Sequence, residues 1–394
     1  MRTPIEILAL SPIPEEAAGA RFRLYQYLPR LEAEGFRVTV HPFFTNEFFR
    51  IVYQRGRSAL KARLFVAQTL ARLKLVVRRA RYDMFLVYRE AFPIGPPVIE
   101  RLLSRSTGRA LVYDFDDAIF LPNASDANRL IGVLKYPQKV SRIVRASTQV
   151  IVGNATLAKY ARQYHDTVTI IPTCVDTTQF IPRVASQART ASARVRVGWI
   201  GSHSTVKYLG GLLPTLAAVA SRQPMTLHVV GSPGPLVADG LDIEQETWTL
   251  EQEVAHFQSC DIGVYPLWDD AWGQGKSGFK AIQFMACGVP VVASPVGVTT
   301  EIIEDGVNGF LAATPQEWVG KLGWLMADPA LRRRMGAAGR ETVEQRYSLS
   351  VNAPRLVQVL RAALAQTGGF GLPPAASLTD EPAETAAARA GFSP

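Results

Sequence analysis

The chain has 394 residues, 47% of them apolar and 20% charged, and a net charge of +9. That length exceeds one comfortable hydrophobic core, and the composition is that of a globular protein of about two domains, which excludes a disordered, fibrous or disulfide-stapled chain. Cys174, Cys260 and Cys287 are odd in number and far apart, so neither a disulfide framework nor a zinc site is expected.

The N-terminal run at 1–10 is short and contains Glu6, unlike a secretory signal, and no later run approaches the roughly 18 apolar residues of a membrane span. A cytoplasmic location is expected. Short apolar runs then alternate with helical patterns, which signals parallel sheets covered by helices, an α/β architecture. In the first half, strands are expected at 5–10, 37–41, 84–88, 110–113, 149–152 and 168–171, with helices that include 23–34, 97–103 and 139–146. The loop after the first strand holds Gly19, which allows close backbone approach, and Arg21 and Arg23, which suit an anionic acceptor or phosphate. The plainer reading of this loop is the start of a helix.

Between Arg50 and Tyr82 stand ten basic residues (Arg50, Arg55, Arg57, Lys61, Arg63, Arg72, Lys74, Arg78, Arg79, Arg81) and no acid, interleaved with Leu, Val and Phe. A basic amphipathic helix of this kind reads as an element for an anionic membrane surface, and otherwise as a solvated helix packed on its own sheet. Nucleic acid is not expected as a partner, because no aromatic stacking platform accompanies the charge. Further on, Asp114, Asp116 and Asp117 lie at the end of a strand, where open α/β sheets bind ligands. Asp116 or Asp117 is a candidate acceptor-binding or proton-accepting group, since neighbouring like charges raise one another's pKa. A metal-binding Asp-x-Asp and simple helix capping are the alternatives.

The polar, small-residue stretch at 183–194 reads as a linker. Alternation resumes with strands at 196–200, 226–230, 261–265 and 289–293 and with helices that include 208–221, 329–345 and 351–364. The turn at Gly201 and Ser202, with Lys207 beyond it, can cradle a phosphate. At 275–297, Lys276, Lys280 and Gln283 fall at i, i+4 and i+7 of an expected helix capped by Ser277, with Phe279, Ile282 and Ala286 on the opposite face. Two ammonium groups beside a helix N-terminus suit a diphosphate. The turn at Gly297, Val298, Thr299 and Glu301 offers amides and a carboxylate to donor hydroxyls. The five histidines show no metal-ligand spacing in sequence.

The segment 275–297, continued by 301–310, resembles the donor-binding motif of glycosyltransferase family 4, whose fold is GT-B, two Rossmann-like parallel-sheet domains facing a central cleft. The usual Glu-x7-Glu of that motif is replaced by Gly275 and Gln283. The resemblance implies that Gln283 keeps a weakened ribose contact, that Asp269 or Asp270 supplies a sugar contact, and that Lys280 stabilises charge on the leaving diphosphate. It implies an acceptor domain at 1–182, a nucleotide-sugar domain at 195–350 and a helix at 351–366 returning to the first domain; the Gly-, Pro- and Ala-rich tail at 367–394 is expected from its composition to be disordered. The implied activity is sugar transfer from a nucleotide-diphosphate sugar to a glycan, lipid-linked or small-molecule acceptor, with retention, and with no metal or other cofactor. The missing carboxylates leave two other readings: a non-catalytic nucleotide-sugar-binding partner and, less suited to the residues, an epimerase.

Overall fold

The structure, a computed structural model, describes residues 4–52, 54, 56–106, 108–121, 136, 138–183 and 194–368. All but the ends of the expected linker, and the tail from 369 onward, lie outside the described residues.

The first half contains β1 (Ile5–Ser11), α1 (Ala18–Arg23), α2 (Leu28–Ala33), β2 (Phe36–Pro42), α3 (Asn46–Val52), α4 (Ser58–Val77), β3 (Met84–Tyr88), α5 (Val98–Ser104), β4 (Ala110–Phe115), α6 (Lys139–Ala146), β5 (Gln149–Val152), α7 (Ala155–Ala161) and β6 (Val168–Ile170). The second contains β7 (Val195–Ile200), α8 (Val206–Ala220), β8 (Met225–Val230), β9 (Asp242–Glu246), α9 (Glu253–Gln258), β10 (Ile262–Tyr265), α10 (Ala271–Gln274), α11 (Phe279–Ala286), β11 (Val291–Ala293), α12 (Thr299–Ile302), β12 (Phe310–Leu311), α13 (Pro315–Ala327), α14 (Pro329–Thr342) and α15 (Leu349–Gln366).

Each half forms one six-stranded sheet, ordered β2-β1-β3-β4-β5-β6 and β12-β11-β10-β7-β8-β9, and the strand pairs run parallel. The central strands β3 and β4 are buried along their whole length, as continuous apolar runs covered by helices on both faces require. The last helix, α15, leaves the second sheet and packs on the first. Its Leu356, Leu360 and Ala363 join the core of Ile7, Ala9 and Leu24, and Arg355 donates to the Ile170 carbonyl at 2.9 Å.

Several elements depart from the sequence expectation for local reasons. The helix expected at 23–34 is α1, a tight turn at Tyr25–Tyr27, and α2, because Leu24 leaves helical geometry at φ −132°. The basic segment is two helices, α3 and α4, with Arg57 at φ 55° before the second. β9, whose sequence is Asp-Ile-Glu-Gln-Glu, is an edge strand, so it has no apolar alternation to betray it. No described helix is long and apolar enough to cross a membrane.

Candidate active site

In each sheet the strand order reverses once, between β1 and β3 and between β7 and β10, and ligands of such sheets bind beyond the strand ends at these points. Segments beyond the strand ends of the two sheets meet each other. Asn154 Nδ2 donates to the Gly275 and Lys276 carbonyls at 3.2 and 3.1 Å, Lys276 Nζ lies 3.3 Å from Asp117 Oδ2, and the Phe22 and Phe279 rings are 4.5 Å apart.

A chain of polar side chains crosses this seam. Lys280 Nζ donates to Gln283 Oε1 at 2.7 Å, Gln283 Nε2 to Glu253 Oε1 at 3.4 Å, and Arg21 Nη2 to Glu253 Oε2 at 2.8 Å. The Arg21 guanidinium also lies over the Phe22 and Trp248 rings, and Lys280 Nζ is 5.2 Å from the Phe257 ring centre. Burial pulls the Lys280 ammonium down to about 8; Glu253 opposes that shift and Arg21 adds to it. Glu253, contributed by α9, was not singled out from the sequence. Its one visible signal is a charge on a helix whose other inward residues, His256 and Phe257, are also buried.

Lys276 and Lys280 therefore both reach the seam, but not as two positions of one helix. α11 begins at Phe279, after Gly278 at φ 65°, and Ser277 makes no cap. Lys276 belongs to the preceding turn. Gln283 is fully buried, with its amide shared between Lys280 and Glu253, so in this arrangement it offers no open surface to a ribose. A side chain at Gly275 would start 2.5 Å from Ala118 Cβ, which accounts for glycine where the family pattern has Glu. Asp270 caps α10 through the Gly273 amide, and Asp269 accepts from Gln274.

The acidic trio divides. Asp114 is buried in a bidentate pair with Arg23, which also donates to the Ile171 carbonyl at 2.6 Å. Arg23 is thus occupied inside the first domain and does not face an acceptor. Asp116 Oδ1 accepts from Tyr88 at 2.9 Å and from Arg89 at 2.7 and 3.0 Å. Burial pushes the Asp116 carboxyl up, but Arg89 and Arg23 outweigh it and hold the group below the usual range, the reverse of the rise expected from neighbouring acids. Asp117 is the member that faces the second domain, through Lys276. Gly19 lets α1 sit against Tyr88, whose hydroxyl would lie 2.6 Å from any added Cβ.

The turn at Gly201 does not present free amides: the Gly201 N–H donates to the Val230 carbonyl and that of Ser202 to Thr205 Oγ1, both at 3.0 Å. Lys207 is exposed, over Tyr208 and Trp268. Gly297, at φ 56°, packs on Gln274, and Thr299 is buried, its hydroxyl donating to the Ser294 carbonyl at 2.6 Å. Among the described residues no hydrogen bond from the Gly297 or Val298 amide is found. Glu301 is an exposed residue whose carboxyl is partly desolvated, which raises its pKa, against Arg346. Away from the seam, and without any sequence spacing to announce it, the fold gathers His228, Glu246 and His256, whose ligand atoms lie within 4.8 Å of one another. Arg196 Nη2, hydrogen-bonded to Glu244, also lies 3.6 Å from Glu246 Oε1. A surface cavity of about 460 Å³ lies beside the first loop, bordered by Pro14, Tyr25, Asn46 and Leu64.

Residues 194–328 match the family described as Glycosyl transferases group 1. The D-inositol 3-phosphate glycosyltransferase of Segniliparus rotundus is 29% identical over 262 residues, covering 60% of this chain and 55% of that protein. That of Nocardiopsis dassonvillei is 26% identical over 234 residues, 51% and 52% of the respective chains. The chain thus spans about half the length of the curated relatives it matches. Among solved structures, sucrose-phosphate synthase from Thermosynechococcus elongatus superposes with a TM-score of 0.65 at 18% identity, covering 93% of this chain and 100% of that one. HepE of Anabaena in complex with UDP-glucose gives 0.65 at 16% identity, covering 91% and 99%. The fold is GT-B. The family match falls on the second domain, and the structural likeness shows the fold.

Proposed function

We propose that the protein transfers a sugar from a nucleoside-diphosphate sugar to an acceptor, with retention at the anomeric carbon and without a metal, as members of glycosyltransferase family 4 do. The observation that carries this reading is the convergence of Lys280, Lys276 and Arg21 on the seam at the two reversal points. As the bond between the anomeric carbon and the diphosphate breaks, negative charge grows on the leaving oxygens, and fixed cations there lower the barrier. Lys280 and Lys276 supply those cations, and the amides of Gly297 and Val298 add donors in a left-handed turn. Asp117 is the carboxylate of the first domain placed to meet an acceptor, while Asp116 fixes Arg89.

The Arg21–Glu253 and Lys276–Asp117 pairs close the seam, so the donor enters when the domains part, exchanging these contacts for contacts to phosphate. The acceptor, a glycan, lipid-linked or small molecule, approaches from the first domain, with an anionic membrane surface beside it along residues 50–81, at the inner face of the plasma membrane. A structural relative holds UDP-glucose, which puts uridine nucleotides first among donors to try. A panel of UDP-, GDP- and ADP-sugars, assayed for hydrolysis or transfer, tests the reading. Binding of a nucleotide sugar with no turnover on any acceptor would leave the non-catalytic alternative, which the absent motif carboxylates favour.

A further inference from the structure

α4 carries an apolar stripe on the side away from its own sheet. Val66, Leu70, Leu73 and Val77 fall at i, i+4, i+7 and i+11, one face of a helix, and are 48–77% exposed. The opposite side is already satisfied: Leu60, Leu64 and Phe65 pack on Phe43 and Phe48, and Arg72 and Val76 are buried. Arg63, Lys74 and Arg78 flank the stripe and are exposed. α5, in contact with α4, continues the surface with Val98 and Leu102, 55% and 41% exposed. Between α5 and α6 opens a hollow of about 320 Å³ lined by Arg101, Arg142, Arg145 and Ala146. Two of its guanidinium groups are held over rings, Arg142 at 5.1 Å from Tyr136 and Arg145 at 4.5 Å from Tyr164. The only carboxylate on these three helices, Glu100, is buried.

From this surface we infer that α4, α5 and α6 form the face that docks on an anionic bilayer, with the α4–α5 stripe entering the interface and the three arginines taking lipid phosphates. The inference rests on the membrane-proximal reading above and assigns it a face and a headgroup site. A contiguous apolar stripe of this kind marks an interaction surface. A second copy is a poor occupant, because a two-fold contact places each patch on itself and would set these cations against their own copies with no carboxylate between them. A bilayer with anionic lipids offers an apolar layer and negative charge together.

The test is flotation with vesicles of phosphatidylcholine, with and without phosphatidylglycerol. Two variants are compared with the full chain, Leu70→Glu with Leu73→Glu, and Arg101→Ala with Arg142→Ala and Arg145→Ala. These side chains are on the surface, and melting curves check that the fold is kept. The wild type floats with the anionic vesicles only, and the triple variant binds on the order of a hundredfold more weakly, from roughly fivefold per basic residue. The double variant loses binding through the stripe. Donor hydrolysis assayed without vesicles is unchanged in both variants, so failure of docking and failure of the transferase reading are seen separately. Wild-type protein that ignores anionic vesicles, or variants that float as well as wild type, overturns the proposal. So does a wild-type dimer in solution that Leu70→Glu dissociates, which would give the face to a second copy.

Discussion

Arg21 Nη2 and Glu253 Oε2 stand 2.8 Å apart, joining α1 of the first domain to α9 of the second although 232 positions separate them in the chain. Both side chains are nearly buried, and Glu253 passes the contact on through Gln283 to Lys280. The charge of Lys280 is therefore coupled to whether the two sheets are closed on each other.

Lys280→Ala removes the cation assigned to the leaving diphosphate. Turnover should fall by about two orders of magnitude or more, as it does when one charge-stabilising donor is lost. Steady-state kinetics on the best donor of the panel reads this directly, and an unchanged kcat would remove Lys280 from the chemistry.

The pH profile follows from the same residue. Burial brings the Lys280 ammonium to about 8, so activity that needs its charge is full below that pH and declines as pH rises through it. Glu253 props the ammonium up and Arg21 pushes it down. Glu253→Gln should move the alkaline limb of kcat/KM, which reports the free enzyme, to lower pH, and Arg21→Gln should move it higher. Shifts in the same direction would contradict the coupling.

Gly275→Glu restores the carboxylate of the family motif and should nonetheless impair the enzyme, because its Cβ meets Ala118 across the seam. Small-angle scattering should show a more open molecule than wild type. Pairing it with Ala118→Gly should recover compactness in part.

Asp114→Asn leaves Arg23 buried without its countercharge. Breaking a buried pair in this way costs about 3–5 kcal/mol of stability. Denaturant unfolding checks the loss; a stability equal to wild type would show that the buried Arg23 charge does not depend on Asp114.

Much of the fold was legible in residues whose environment is set locally. β3 and β5 begin and end where their apolar runs do, and α6 spans the helix read at 139–146. The rest depends on contacts made far along the chain. Glu253 and Arg21 carry no spacing that links them, and Arg23 looked as available as Arg21 until Asp114 was found beside it. Periodicity placed Lys276 and Lys280 on one helix because it cannot register Gly278, whose left-handed backbone delays the helix start. The turn at Gly201 reads as a phosphate cradle in sequence, but its amides are consumed by Val230 and Thr205. The stripe at Val66 to Val77 was hidden within a segment whose apolar residues suffice for two faces, one turned to Phe43 and Phe48 and one to solvent.

A crystal structure of the full chain with UDP or UDP-glucose tests the central claim most directly. The diphosphate should lie in the seam, its oxygens within about 3 Å of Lys280 Nζ and of the Gly297 or Val298 amide, with the Arg21–Glu253 contact parted. A nucleotide bound elsewhere, or a diphosphate with Lys280 still turned to Gln283 and away from it, would contradict the account.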